Sequence, residues 1–232
     1  MARPPISNRV LAALSADDFA AIEPHLERVP LELGATLIHP HEPIGHVTFP
    51  ESGMISLIAD LEGERVEAGV IGREGFVGVP VVLGTDRTPN TNTVQASGEA
   101  LRITSQDLRA AIAERPSLFR PLGLYIQSFI VQISQTAYVN ATFDIEVRLA
   151  RWLLMMQDRV GDELPLTHDF LAAMLGVRRP GVTIATHVLE GTGAIRASRG
   201  RIVIRDREKL MDMAGDGYGS AEREYERLMA EA

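Results

Sequence analysis

The stretch Thr167-His168-Asp169-Phe170-Leu171-Ala172-Ala173-Met174-Leu175-Gly176-Val177-Arg178-Arg179-Pro180-Gly181-Val182-Thr183-Ile184-Ala185-Thr186-His187-Val188-Leu189 decides the fold. Thr167 precedes an apolar run and is placed to cap a short helix whose Phe170, Leu171, Met174 and Leu175 face inward. Gly176 permits the left-handed backbone that turns the chain by about 90–120°, and Val177 plugs the angle. Pro180 suits the first turn of a second helix, where its missing N–H costs nothing. That helix is expected to run to Glu190, burying Val182, Ala185, Val188 and Leu189 and presenting Arg179, Thr183, Thr186 and His187. Two short helices held at a sharp turn form a helix-turn-helix, which places the second helix in a DNA major groove. Arg179 is the expected base-reading side chain, because Arg bidentate to guanine is the commonest specific contact.

Downstream, Ala194–Ala197 and Ile202–Ile204 flank Ser198-Arg199-Gly200-Arg201, a hairpin pattern with an Arg-bearing tip. Such a wing would lie on phosphates, with Arg199 and Arg201 as its contacts and Arg178 beside the reading helix. The charge supports this. The net −8 divides into −7 over residues 1–144, +3 over 145–205 and −4 over 206–232, and Arg178–Arg205 carries six Arg against the single acid Glu190. A local phosphate-binding footprint sits on an otherwise acidic chain. A solvated charged hairpin beside an ordinary helix pair is the alternative.

Upstream, Asp144–Val160 has Ile145, Leu149, Trp152, Leu153 and Met156 at helical core spacing, ended by Gly161-Asp162-Glu163. Before it, Phe119, Ile126, Ile130, Ile133, Ala137 and Asn140 follow 7-4-3-4-3 spacing, with Gly123 in the missing position, which is the seam of a two-stranded coiled coil. These six are the expected dimer interface. Leu122, Tyr125 and Phe129 form a second apolar flank, so packing on the chain's own β-domain is equally provided for. Further upstream, Arg28–Ile103 contains short β-branched runs between Gly, Pro and Asn: Thr36–Ile38, His46–Phe49, Met54–Asp60, Arg65–Ile71, Val77–Leu83, Thr91–Ala96 and Ala100–Ile103. Glu62-Gly63 is a hairpin turn signal. Many short strands without helical spacers indicate an antiparallel jelly-roll or barrel. Ser15 caps a helix over Ser15–Leu26, Ser105 is expected to cap Gln106–Glu114, and the acidic segment from Ala214 reads as a solvated or loosely docked tail.

With no Cys, thiolate zinc, iron–sulfur clusters, disulfides and cysteine nucleophiles are excluded. His39, His41, Glu42 and His46 cluster in a Pro-rich turn and are read as loop residues, with no metal and no cofactor expected. No Ser-His-Asp order, phosphate loop or paired-carboxylate context emerges, so an enzyme is not expected. Met1–Asn8 lacks the pattern of a signal segment and no apolar run approaches a membrane span, so a cytoplasmic location is the default expectation.

From about Ser15 to Arg205 the chain resembles the Crp/Fnr family of bacterial transcription regulators. Leu175-Gly176-Val177-Arg178-Arg179-Pro180-Gly181-Val182-Thr183 sits where that family's recognition motif sits. The resemblance implies an α+β architecture: an N-terminal antiparallel β-roll of the cyclic-nucleotide-binding, jelly-roll type over residues 1–117, a long dimerisation helix over 118–143, a C-terminal winged helix-turn-helix over 144–207, and an acidic tail over 208–232. It implies a homodimer on double-stranded DNA, with RNA polymerase as a candidate partner and no membrane. Thr167, Arg178, Arg179, Thr183, Thr186, His187, Arg199 and Arg201 become the DNA-contacting set. The family often has Glu and a further Arg where this chain has Pro180 and Ile184, which changes the expected half-site. Its nucleotide-binding members carry a Glu and an Arg where Val79 and Asn90 stand, so tight cyclic AMP binding is not expected. Arg73, Glu74, Asn90, Thr91, Asn92 and Thr93 form a candidate pocket for another effector, the alternative being a solvated loop. A ligand-sensing or protein-interaction module that no longer reads DNA is the rival reading.

Overall fold

The computed structural model of the chain describes residues 6–61 and 64–232; the inferred Glu62-Gly63 turn and the first five residues lie outside them. Asn8 and Ser15 open two short helices, α1 (Arg9–Ala13) and α2 (Ala16–Ile22), by accepting hydrogen bonds from the Leu11 and Asp18 N–H groups. The β-domain follows as β1 (Glu27–Leu31), β2 (Thr36–Ile38), β3 (His46–Pro50), β4 (Met54–Leu61), β5 (Glu64–Ile71), a short α3 (Val79–Val82), β6 (Thr91–Ala96) and β7 (Gly98–Thr104). These strands make two antiparallel sheets in the orders β1-β7-β3 and β2-β6-β4-β5. Val47, Phe49, Ile55, Ile71, Phe76, Val94 and Ile103 meet between them as one core, closed by Leu11, Phe19 and Ile22.

Two expectations change here. Val77–Leu83 is not a strand: Val77 alone pairs with Thr48, then Gly78 at φ 109° ends the extended chain and Pro80 opens α3. β1 carried no sequence signal because it is a sheet edge with one buried residue, Leu31, and Pro30 just before it.

The helix α4 (Ser105–Glu114) is capped by Thr104, which accepts from the Asp107 N–H at 3.0 Å, rather than by Ser105. The Ser105 hydroxyl is buried and donates to the Ile44 carbonyl at 2.5 Å. The long helix α5 (Phe119–Thr142) lays Leu122, Tyr125, Ile126 and Phe129 on the β-domain core. Phe143 is extended, and α6 (Ile145–Val160) begins the second unit. It continues through β8 (Glu163–Leu164), α7 (His168–Leu175), α8 (Arg179–Gly191), β9 (Ile195–Ser198), β10 (Arg201–Ile204) and α9 (Arg207–Ala214) to α10 (Ser220–Met229).

The solvated-tail expectation fails at α10. Ala221, Tyr225 and Leu228 are buried, the Tyr225 hydroxyl donates to the Glu74 carbonyl at 2.8 Å, and Arg9 meets Glu226 at 2.6 Å. Gln135 of α5 accepts from the Ala221 N–H at 3.1 Å, and Arg120 donates to the Glu231 carbonyl at 2.8 Å. Spacing of 221, 225 and 228 puts one apolar stripe along the helix, and the acids occupy the other face.

A second core forms around Leu149, Trp152, Leu153, Leu171, Val182, Leu189 and Ile202, and Met54, Ile58 and Val70 of the β-domain belong to it. Among the described residues no helix is long and apolar enough to cross a membrane.

Candidate nucleic-acid interface

Thr167 accepts from the Phe170 N–H at 3.1 Å and so starts α7, whose Leu171, Met174 and Leu175 are buried. Gly176 ends it at φ 62°, ψ 40°, with the Val177 and Gly176 N–H groups donating back to Ala172 and Ala173. These two hydrogen bonds close the turn. Arg178 then holds the N-cap position of α8 in extended conformation without a side-chain capping bond, and Pro180 lies in the first turn. His168 Nδ1 sits 3.0 Å from the Thr183 hydroxyl, which also donates to the Arg179 carbonyl at 3.2 Å. Thr183 therefore joins the two helices instead of standing free.

The face of α8 is rotated slightly from the sequence expectation. Thr186 is buried, at 1% exposure, and Val188 is exposed at 42%. Thr186 therefore lines the groove between α8 and the wing from beneath instead of reaching outward, and its Oγ1 has no hydrogen-bond partner among the described residues. Ile184 is exposed at 61%, so Ile184 and Val188 form an apolar pair one turn apart beside His187.

A groove of about 400 Å³ opens between the start of α7, the outer face of α8 and the wing, and Thr167, Arg179, His187 and Arg199 line it. The wing is β9 and β10 joined at Arg199-Gly200, with Arg201 opposite Ser198 in register and Gly200 at φ 72°. β8, a third strand with no sequence signal, pairs with β10 at Ile202↔Leu164. Its Glu163 forms an ion pair with Arg201, which is therefore partly neutralised, while Arg199 at the tip has no ion pair among the described residues. Arg179 Nε lies 3.1 Å from Asp169 Oδ1, both side chains mostly exposed. Arg178 is exposed beside it.

The other expected sites divide. On α5, Phe119, Ile130 and Ala137 are exposed, but Ile126 is buried against the β-domain, Ile133 packs on the same core, and the Asn140 side-chain Oδ1 accepts from Arg148 Nε at 3.0 Å. The free stripe therefore turns toward Gln127, Ser134 and Tyr138, since the β-domain claims one flank of the heptad seam. Of the candidate effector residues, Arg73 and Glu74 line a cavity under α10. Asn90 precedes β6, and Thr91–Thr93 lie within it, paired to β2 and β4, away from that cavity's lining, so the six do not make one pocket. His39, His41, Glu42 and His46 are exposed loop residues and the first residue of β3.

Sequence reasoning missed the polar ties between the two units. Glu67 on β5 is buried, accepting from the Trp152 indole N–H at 2.6 Å and from the Ser56 hydroxyl. Burial pushes its carboxyl up to about 7, against the opposing hydrogen bonds of Ser56 and Trp152 and the charges of Arg159 and Arg151. Arg159, near the end of α6, reaches Glu74 at 2.6 Å, both groups being largely buried. Arg151 is buried and donates to Thr136 at 3.1 Å, and burial lowers its guanidinium's pKa. An acid at an inward position of the β5 alternation was the one legible signal.

Two family models match the chain in series: the cyclic nucleotide-binding domain over residues 28–115 and the Crp-like helix-turn-helix domain over residues 147–213. No curated protein matches it at a significant level of sequence similarity. Among solved structures, FixK2 of Bradyrhizobium japonicum superposes with a TM-score of 0.69 at 15% identity, covering 82% of this chain and 98% of that one. A Crp/Fnr-family transcriptional regulator of Thermus thermophilus gives 0.67 at 23% identity, over 81% and 98%. The global regulator CLP of Xanthomonas campestris, described as responsive to c-di-GMP, gives 0.67 at 18% identity, over 82% and 99%. These likenesses concern the fold.

Proposed function

The chain belongs to the Crp/Fnr family of transcriptional regulators, and from that premise we propose that it binds a two-fold symmetric operator as a homodimer, outside the control of cyclic AMP. The observation that carries the reading is the groove in which Arg179, His187 and Arg199, from the reading helix and the wing, face one space. Arg179 is the base-reading group and Arg199 a phosphate contact. Ile184 and Val188 bring methyl groups to the same face, suited to thymine C5-methyls, and so compensate for the missing second Arg.

The free stripe of α5, with Phe119, Ile130 and Tyr138 exposed, is the surface a second copy would cover. Two-fold pairing there would set two reading helices about 34–36 Å apart on one face of the duplex. Val79 and Asn90 supply neither a ribose-binding acid nor a phosphate-binding cation, which supports the exclusion of cyclic AMP. Calorimetry giving a dissociation constant of about micromolar or tighter for cyclic AMP would overturn that part.

Selection of genomic DNA fragments by the purified protein tests the whole. A symmetric motif is expected. Featureless binding would instead favour the rival, a ligand-sensing or protein-interaction module whose apolar Ile184–Val188 face meets protein.

A further inference from the structure

Beyond residue 213, where the matched helix-turn-helix domain ends, the chain turns back on itself. Gly215 at φ 49° and Gly219 at φ 98° bracket the turn, and α10 then packs along α5. The reading head is thereby joined to the rest of the molecule at two places, through Phe143 between α5 and α6 and through this returning helix. A head on one connection can swing about it; a second attachment removes that freedom.

Both ends of the returning segment are pinned. At the head, the Tyr218 hydroxyl donates to Asp158 of α6 at 2.5 Å, and Arg207 of α9 reaches the same carboxylate at 2.8 Å. At the body, Arg9 of α1 pairs with Glu226 and lies over the Tyr225 ring at 4.7 Å, and the Tyr225 hydroxyl donates to the Glu74 carbonyl. Glu74 is the meeting point, since its carboxylate holds Arg159 of the head while its carbonyl holds α10. The seat is nonetheless a light one. α10 has ten residues, Ala221 and Leu228 are buried without belonging to either main core, and a cavity of about 260 Å³ lies beneath the helix. A short helix held by a narrow apolar stripe and polar ties over a cavity can open by itself, below the free energy of global unfolding. The body-end ties fall on α1 and the turn after β5, and Arg179, Ile184 and His187 stay exposed while α10 is docked.

We propose that α10 is a strap that holds the reading head at one orientation to the β-domain with its reading face open, so that docking of α10 raises affinity for a two-half-site operator. The effect on DNA rests on the operator reading above; the docking itself does not. A head released from the strap samples other orientations, and apparent affinity falls by the fraction of time that both heads of a dimer are correctly set. A single half-site needs only one head, so it is insensitive to the strap.

The test uses the full chain. Leu228→Asp puts a charge into the seat of α10, Arg9→Glu sets two acids against each other, and Arg9→Glu with Glu226→Arg restores the pair with its charges exchanged. Hydrogen exchange of the wild type should show α10 amides opening at least about tenfold faster than those of α5 and α6, and Leu228→Asp should remove protection from α10 alone. Fluorescence anisotropy should then give roughly tenfold weaker binding to the selected operator, a change within about twofold on one half-site, and recovery in the exchanged pair relative to Arg9→Glu. Exchange of α10 only together with α6, or operator affinity unchanged or increased once α10 has lost its protection, would overturn the strap. Should Leu228→Asp not fold, Arg9→Glu and the exchanged pair carry the same comparison. A wild-type chain that selects no operator sinks the DNA reading instead. Small-angle scattering then decides the docking separately: a larger radius of gyration in Leu228→Asp is expected, and an unchanged one would refute it.

Discussion

Arg179 rests on Asp169 in the free chain, an exposed pair worth about 0–1 kcal/mol. A guanine edge that offers two acceptors can take the guanidinium from it at little cost. Arg179→Ala is expected to cost roughly 1–3 kcal/mol on the selected site and to relax one base pair, while Arg199→Ala should weaken all sequences alike. Fluorescence anisotropy on operator and random duplexes measures both, and equal losses on the two duplexes for Arg179→Ala would contradict the assignment. Glu67 makes a different prediction. Its folded pKa of about 7 lies above the unfolded value of 4.5, so the neutral carboxyl stabilises the fold fully below about pH 4.5, and that contribution is lost as pH rises through 7. Glu67→Gln stays neutral, and its stability relative to wild type should rise between pH 5 and 8 by an amount on the order of 3 kcal/mol. Melting temperatures at several pH values would read this, and a pH-independent difference would rule it out.

At the level of elements, α5 packs two faces on its neighbours and leaves a third open. Tyr125, Ser128 and Gln132 line the cavity beneath α10, Ile126 and Phe129 pack on the β-domain, and Ile130 lies open. Ile130→Asp should leave the single-chain fold intact, because the side chain is 51% exposed, yet break pairing of two copies. Sedimentation should then report a monomer, and operator affinity should fall by roughly tenfold or more as half-sites bind singly. An unchanged dimer would place the interface elsewhere. The heptad signal located this helix but not its free face, since Ile126 and Ile133 obey the spacing while packing inward. Composition misled at α10, where acidity outweighed the stripe of Ala221, Tyr225 and Leu228.

For the molecule as a whole, the decisive feature is the core shared between the β-domain and the reading head. Met54, Ile58 and Val70 join it, Val66 lies against Gly176 of the turn, and Glu67–Trp152 and Glu74–Arg159 are its polar ties. Removing one partner of a buried pair strands the other, so Arg159→Met is expected to cost roughly 3 kcal/mol. Urea unfolding should then lose its single transition as the two units separate, whereas an unshifted single transition would show that the apolar contacts alone couple them.

Local devices are legible in the residues alone: the Thr167 cap, the Gly176 turn, the Pro180 helix start, the Arg199-Gly200 wing tip and most strand positions. Each depends on residues within a few positions of one another, and backbone sterics and nearby hydrogen bonds decide them. Long-range packing set the rest: which face of α5 stays open, where α10 docks, that Glu67 is buried against Trp152, and that Tyr125 is buried against Gly75. Those outcomes depend on surfaces brought together across as many as 85 residues for Glu67 and Trp152 and 151 for Tyr225 and Glu74, where desolvation and packing rather than local preference set the result.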